Sequence, residues 1–406
     1  MNVRDRQQHK YSILAVIIFT VSFIFPFADI RENRVAGSVP LWAGDLLSRT
    51  GPGGVLLLML PPVLLILAIL LRRSGRFSRE ALWLRIIPAL LPGLSILTAF
   101  WVLSGIPGAY EEFLGEFGRV GMGFGFYLFI LAGIVPLLSD RPPKGGAWIA
   151  LGVFLITSVL LYTSSALDSL GIIREASNQQ RRLLKEIGNH ISITLSSVGI
   201  AVVIGVPGAF ISYQYRRIRN AVFPVLNVLQ TIPSIALFGL MIAPLAALSR
   251  AMPLLRQMGL RGIGNTPAII ALSMYALYPV LRYSYTALSE VDGKVIDAAR
   301  GMGMNTIQLW GMVRLPLGIP VILHGIRVAL IQTLGNATLA KLVGGGGLGV
   351  FVFEGLGQAS SDMVLLGMFL IIAITLVADQ LLTVLIRLLT PKALQNQYSA
   401  QTGESQ

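Results

Sequence analysis

Runs of about twenty apolar residues recur along this chain, and they leave few folds open to it. The hydrocarbon core of a bilayer is about 30 Å thick, so a helix needs about 20 residues to cross it. Strands of a membrane barrel would alternate apolar and polar residues in pieces of about ten, which these solid runs do not do. The pattern therefore predicts an all-α polytopic membrane protein with about ten transmembrane helices: residues 11–29, 52–71, 84–104, 119–138, 147–167, 190–212, 221–248, 265–287, 317–341 and 362–389. Composition agrees, since 54% of the 406 residues are hydrophobic and 13% are charged, against about a quarter charged in soluble domains.

A net charge of +13 would suggest nucleic acid in a soluble protein, but here the bases lie between the apolar runs and at their ends. Orientation signals and contact with anionic membrane lipid account for them, and no nucleic-acid partner is expected. With the N-terminus placed in the cytoplasm, Arg72, Arg73, Arg76 and Arg79 fall in one inner loop. Arg141 and Lys144 fall in the next, and Arg216, Arg217 and Arg219 in a third. The loop with Glu111, Glu112 and Glu116 then faces outward, although the bases from Arg174 to Lys185 run against the rule. Arg4, Arg6 and Lys10 before the run from Tyr11 to Phe27 resemble a signal peptide, but no small-x-small cleavage site follows, so a retained first span is expected. Cysteine is absent from the sequence, which excludes disulfides and thiolate chemistry.

Polar residues from Ser177 to Gln180 divide two groups of five spans. The expected organisation is an additional N-terminal transmembrane region at 1–167 and an extracytoplasmic connecting segment at 168–189. A core at 190–390 and a polar cytoplasmic tail at 391–406 complete it.

The loop 289–316 inside that core reads as helix, turn, helix. Ser289 with Asp292 resembles a capped start, followed by good helix formers from Lys294 to Arg300. Gly301 and Gly303 permit the positive φ that ends a helix. Asn305 with Gln308 resembles a capping box, opening a second helix through Leu309, Trp310, Met312 and Val313 that is expected to stop before Pro316.

At these residues a family resemblance becomes specific. Asp297, Ala298, Ala299, then Gly303, then Val313, Arg314, Leu315 and Pro316 are similar to the EAA loop of ATP-binding cassette importer permeases, with Asp in place of the family's Glu and Val in place of its Ile. The segment from Asn227 to Pro244 and that from Gly344 to Leu356 resemble the osmoprotectant importer permeases in particular, over roughly residues 185–390. The resemblance implies a permease that carries glycine betaine, choline or proline inward. It implies a lever loop that docks on separate cassette ATPase subunits, where ATP and Mg are bound, and no cofactor in this chain. An extracytoplasmic substrate-binding protein would meet the outer loops near Arg250 to Gly262 and Gly344 to Gly357. A second permease copy or a paralogue would complete the pore as a homodimer or heterodimer. The first five spans match no usual part of that family.

Other chemistry finds little support in the residues. No phosphate-binding GxxxxGK[ST] loop occurs; Gly293 with Lys294 comes nearest. The histidines, His9, His190 and His324, are isolated, so neither a metal site nor an active site is expected. Asp379 is the clearest charge inside a span and is expected to pair with a base such as Arg282. A translocation path is expected along Asn227, Gln230, Thr231 and Ser234, with Gln332 and Asn336 on one helix face. Tyr275 and Tyr278 could receive a quaternary ammonium by cation–π attraction. The alternatives are helix-to-helix packing for each of these polar residues, a permease for an amino acid or another small solute, and an ion-coupled secondary transporter.

Overall fold

The computed structural model describes residues 3–33, 36–74, 82–115, 117–138, 168, 170–257 and 259–390. Chain contacts divide it into two compact units. One holds the residues up to Asn178 together with Ala359–Asp362, and the other holds Gln179–Gln358 and the residues from Met363 onward. Among the described residues, five helices are long and apolar enough to cross a membrane: Leu90–Ala109, Gln180–Gln214, Ser234–Ala251, Thr306–Val343 and Ser361–Leu389. Shorter apolar helices cover Lys10–Ser22, Leu56–Leu71 and Phe124–Ile134. The expected span 147–167 lies outside the described residues.

In the first unit, helices α1 (Val3–Ser22), α2 (Ala43–Ser74), α3 (Leu82–Ala109), α4 (Glu111–Leu114), α5 (Phe124–Ile134) and α6 (Gly171–Asn178) accompany a small antiparallel sheet. Its strands are β1 (Ala28–Arg31), β2 (Val39–Leu41) and β3 (Arg119–Met122), in the order β2-β1-β3. Two expected spans therefore begin or end differently. The first stops at Ser22, ahead of Pro26, and continues as β1, which pairs Ala28 with Met122 and Ile30 with Val120. The fourth opens as strand β3, and its helix starts only at Phe124. Apolar content alone did not distinguish a four-residue strand from a helical turn. Phe19, Phe27, Phe126 and Phe129 are fully buried and meet edge to face, as aromatic quadrupoles prefer, with Phe19 and Phe129 centred 5.0 Å apart. Beside the sheet, Arg119 pairs with buried Glu175 at 2.6 Å, and Arg31 reaches both Asp29 and the Ser361 hydroxyl at 2.9 Å.

In the second unit, α7 (Gln180–Gln214), α11 (Asn265–Ser289) and α14 (Leu315–Asn336) form the centre. Small residues make their close approach possible: a Cβ on Gly205 of α7 would sit 3.0 Å from Val280, and one on Gly325 of α14 would sit 2.5 Å from Tyr283. Around them run α8 (Arg216–Thr231), α9 (Ser234–Ala251), α10 (Pro253–Gln257), α12 (Gly293–Gly301), α13 (Thr306–Gln308), α15 (Gly349–Gly357) and α16 (Ser361–Leu389).

The expected single span 221–248 is two helices. Ile232 and Pro233 are extended between α8 and α9, because a proline lacks the amide proton and disfavours helical geometry in the residue before it. Past Asn336, α14 tightens into a 3₁₀ turn from Ala337 to Val343, and Gly344 at φ 78° ends it. The glycine run that follows is a tightly tied connection. The Gly346 amide donates to Asn265 Oδ1 at 2.9 Å, and the Gly347 amide to Glu186 at 2.6 Å.

Candidate functional site: a surface lever and the helix break beneath it

Between α11 and α14 the chain builds a helix, a glycine turn and a second helix. Its first cap is Asp292 alone, whose carboxylate accepts from the Lys294 amide at 2.9 Å; Ser289 belongs to the last turn of α11. Helix α12 ends as the Met302 amide returns to the Ala298 carbonyl at 3.0 Å. Gly303 follows at φ 81°, a left-handed conformation that L side chains rarely adopt. Asn305 and Gln308 then close a reciprocal capping box, each amide 2.9 Å from the other's side chain.

The second helix does not stop before Pro316. A π turn from Leu309 to Arg314 carries it into α14, with the Leu315 amide reaching the Trp310 carbonyl five residues back. An ordinary α turn would press the Pro316 ring against the carbonyl four residues earlier, and a proline in the first turn of the following helix needs no amide bond. The widened turn removes that conflict.

Asp297, Ala298 and Gly303 are exposed, Ala299 is buried, and Val313, Leu315 and Pro316 are half-buried. Around the exposed residues stand Val295, Met302, Ile307 and Met312, with Ile307 83% and Met302 72% accessible. An apolar row of this kind on an ordered, capped element marks a contact surface rather than a core.

Two residues of this loop, Trp310 and Arg314, join a cluster whose third member, Tyr213, the sequence reading did not single out. The Arg314 guanidinium lies 4.8 Å from the Trp310 ring centre and 5.0 Å from that of Tyr213, whose hydroxyl accepts from its Nη1. Trp310 and Arg314 fall inside the segment already read as the second lever helix, but their partner on α7 is 97 residues or more away in sequence, so no local pattern points to it.

Of the translocation candidates, the structure brings three together at the helix break. Gln230 donates to the Tyr275 carbonyl at 2.8 Å and accepts from Gln332 at 3.4 Å, while the Tyr275 hydroxyl donates to the Ile232 carbonyl at 2.5 Å. Tyr275 is 5% exposed and its ring packs with Ile193, Leu237 and Leu272, so in this conformation it closes the break and offers no open ring face. Asn227 and Thr231 are exposed, and Thr231 bonds its own helix at the Val228 carbonyl. Ser234 and Asn336 are half-buried. Tyr278 packs on the group formed by Ala209, Leu226 and Leu281.

Asp379 pairs with Arg327, not Arg282. Its two oxygens face the guanidinium at 2.5 and 2.8 Å, because α14 and α16 turn these positions toward each other. Arg282 instead stacks on Phe223 at 5.4 Å. His190 is fully buried with Nε2 3.1 Å from the Leu334 carbonyl, and His324 lies edge-on to Tyr283 at 5.3 Å. No cluster of three metal-ligating side chains occurs among the described residues.

Long apolar helices tied by interhelical polar bonds define a multi-pass membrane protein. The profile of the family described as "binding-protein-dependent transport system inner membrane component" matches residues 198–395. The glycine betaine/carnitine/choline transport system permease protein OpuCB of Bacillus subtilis (strain 168) is 34% identical over 213 residues, 52% of this chain and 91% of that protein. The osmoprotectant import permease protein OsmW of Salmonella typhimurium is 35% identical over 206 residues, 51% of this chain and 91% of that one. A chain of the MetNI methionine ABC transporter in an inward-facing conformation superposes with a TM-score of 0.45 at 22% identity, covering 53% of this chain and 99% of that one. The chain belongs to the family of binding-protein-dependent inner-membrane permeases of ATP-binding cassette importers. It is a transport subunit of the inner membrane, and its family works with a separate ATPase and a substrate-binding protein.

Proposed function

We propose that this permease imports a compatible solute bearing a quaternary ammonium group, such as glycine betaine or choline, with proline as a further candidate. The similarity to the OpuCB permease named for glycine betaine, carnitine and choline supports this reading, since all three solutes carry a trimethylammonium head. The loop from Ser289 to Pro316 is the lever on which cassette ATPase subunits dock, with Asp297, Ala298, Ala299, Gly303, Val313, Leu315 and Pro316 forming and supporting the docking face. The observation that carries the assignment is the exposed row Val295, Met302, Ile307 and Met312 on a doubly capped element. ATP and Mg are held by the partner, both termini of this chain lie in the cytoplasm, and a second permease, identical or paralogous, completes the pore.

Solute passes the break at Ile232–Pro233, where Gln230, Tyr275 and Gln332 meet and where Asn227, Thr231, Ser234, Tyr278 and Asn336 line the approach. Alternating access follows from the hydrogen bonds there: Tyr275 releases the Ile232 carbonyl when α8 moves, and its ring becomes available to a cation, an attraction worth about 0.5 to 2 kcal/mol. The test is uptake in proteoliposomes holding the permease, its ATPase and its binding protein. ATP-dependent accumulation of glycine betaine or choline is the expected result. Accumulation of an unrelated amino acid alone would overturn the solute, and accumulation without any ATPase would overturn the mechanism.

A further inference from the structure

Arg314 is 9% exposed, and among the described residues no carboxylate pairs with it. A buried cation is costly unless its surroundings compensate it. Here the compensation is two ring faces, Trp310 at 4.8 Å and Tyr213 at 5.0 Å, together with the Tyr213 hydroxyl; among the described residues the Nε atom has no acceptor. Packing alone would be served better by leucine or methionine. A guanidinium, being flat, can stack and donate at once, which an ammonium cannot.

The ring contacts do not end there. Tyr213, at the end of α7, lies 6.5 Å from Tyr285 of α11, and Tyr285 meets Phe223 of α8 edge to face at 5.3 Å. Arg219 donates to the Tyr285 hydroxyl at 2.7 Å, and Arg282 covers Phe223. An unbroken row of packed rings thus runs from the lever through α7 and α11 to α8. That helix ends about two turns beyond Phe223, at the break where Gln230 holds the Tyr275 carbonyl.

We propose that Arg314 is a positioning residue that clasps the lever to the end of α7, so that lever displacement is passed along Tyr213, Tyr285 and Phe223 to α8 and the break. Trp310 and Arg314, four residues apart within the π turn, lie on one face of the element. The proposal rests on the docking assignment of the lever, and it separates association of the ATPase from use of its work.

The experiment measures, for the complete complex in proteoliposomes, ATPase retention, basal hydrolysis and glycine betaine moved per ATP hydrolysed. Arg314→Gln and Arg314→Lys are expected to retain the ATPase with hydrolysis within about twofold of wild type while the transport ratio falls about tenfold, which is the scale of a coupled contact. Tyr213→Leu is expected to do the same, and combining it with Arg314→Gln to add nothing further. An unchanged ratio in the Arg314 variants, or fully additive losses, overturns the clasp. Dissociation of the ATPase also overturns it and makes Arg314 part of the docking face. If neither Arg314 variant accumulates in the membrane, Tyr213→Phe decides, since it removes the hydroxyl alone: a reduced ratio supports the clasp and an unchanged one rejects it. Failure of the docking assignment is read separately, as Gly303→Pro leaving uptake and ATPase retention intact.

Discussion

At the scale of single residues, charge within apolar surroundings is explained by its partner. Arg327 and Asp379 form two hydrogen bonds across α14 and α16, so removing either leaves an uncompensated charge inside a spanning bundle. Asp379→Ala is expected to lower unfolding stability, whereas Arg327→Met with Asp379→Leu recovers most of that loss, since no unpaired charge is then left in an apolar span. Thermal unfolding in detergent of the two singles and the double checks it; a double-variant loss equal to the sum of the single losses would show that the pair contributes no coupling. Glu354 of α15, outside the spans, obeys a different balance. Burial raises its pKa, but hydrogen bonds from Lys341 and Arg182 outweigh burial and hold it below 4.5. A depressed carboxylate pKa stabilises above the unfolded value and loses that contribution as pH falls through the folded value. The stability difference between wild type and Glu354→Gln is therefore expected to be constant near neutrality and to shrink only below about pH 4.5, the ordinary glutamate range. A difference that changed between pH 6 and 8 would assign the effect to another group. Asp379 stood out in the sequence as a lone acid in an apolar run, but its partner did not, because the rotation of α14 against α16 is set by packing rather than by composition.

At the scale of elements, the lever was the most legible part of the chain. Caps and glycine turns are local chemistry, and Asp292, Gly303, Asn305 and Gln308 act within a few residues of themselves. Asn305→Ala is expected to lower local stability by about 1 kcal/mol, the usual cost of a lost N-cap, seen as faster amide exchange from Thr306 to Leu309. Gly303 divides two substitutions. A Cβ there meets nothing within 4 Å, so Gly303→Ala costs only the left-handed backbone, about 1 to 2 kcal/mol. Gly303→Pro in addition requires a negative φ and loses the amide bond to the Arg300 carbonyl, so it is expected to abolish ATP-driven uptake while the protein still reaches the membrane. Retained uptake in that variant would remove the lever from the mechanism. What the sequence did not reveal were the places where two local rules compete. Proline at 316 reads as a stop, yet the π turn before it absorbs the conflict. Proline at 233 lies within an apolar run that reads as one span, yet it divides α8 from α9. Strands β1 and β3 were invisible for a related reason, since four residues do not reveal a period and the pairing that makes them strands joins positions about ninety apart.

At the scale of the whole molecule, the second unit contains every part the proposed mechanism uses: lever, clasp and helix break all fall between Gln179 and Gln358. The relatives OpuCB and OsmW correspond to about half of this chain, 52% and 51%, while nearly all of their own length is matched. A chain beginning at Gln179 thus has the extent of an entire relative, and it is expected to insert, retain the ATPase and support hydrolysis. One feature argues against full equivalence. The turn Ala359–Asp362 is grouped by its contacts with the first unit, where Arg31 donates to the Ser361 hydroxyl and Asp362 is 4% exposed against Gly171, whose added Cβ would meet its carboxylate. Removing the first 178 residues uncovers that carboxylate at the start of α16, so the truncated chain is expected to unfold at a lower temperature than the full chain while ATPase retention is unchanged. Arg31→Ala in the full chain, which removes only the bond to Ser361 and the ion pair with Asp29, should reproduce a fraction of the shift. Loss of ATPase retention on truncation would mean that the docking lever depends on the N-terminal unit, contrary to the confinement of its caps and ring contacts to residues 210–316.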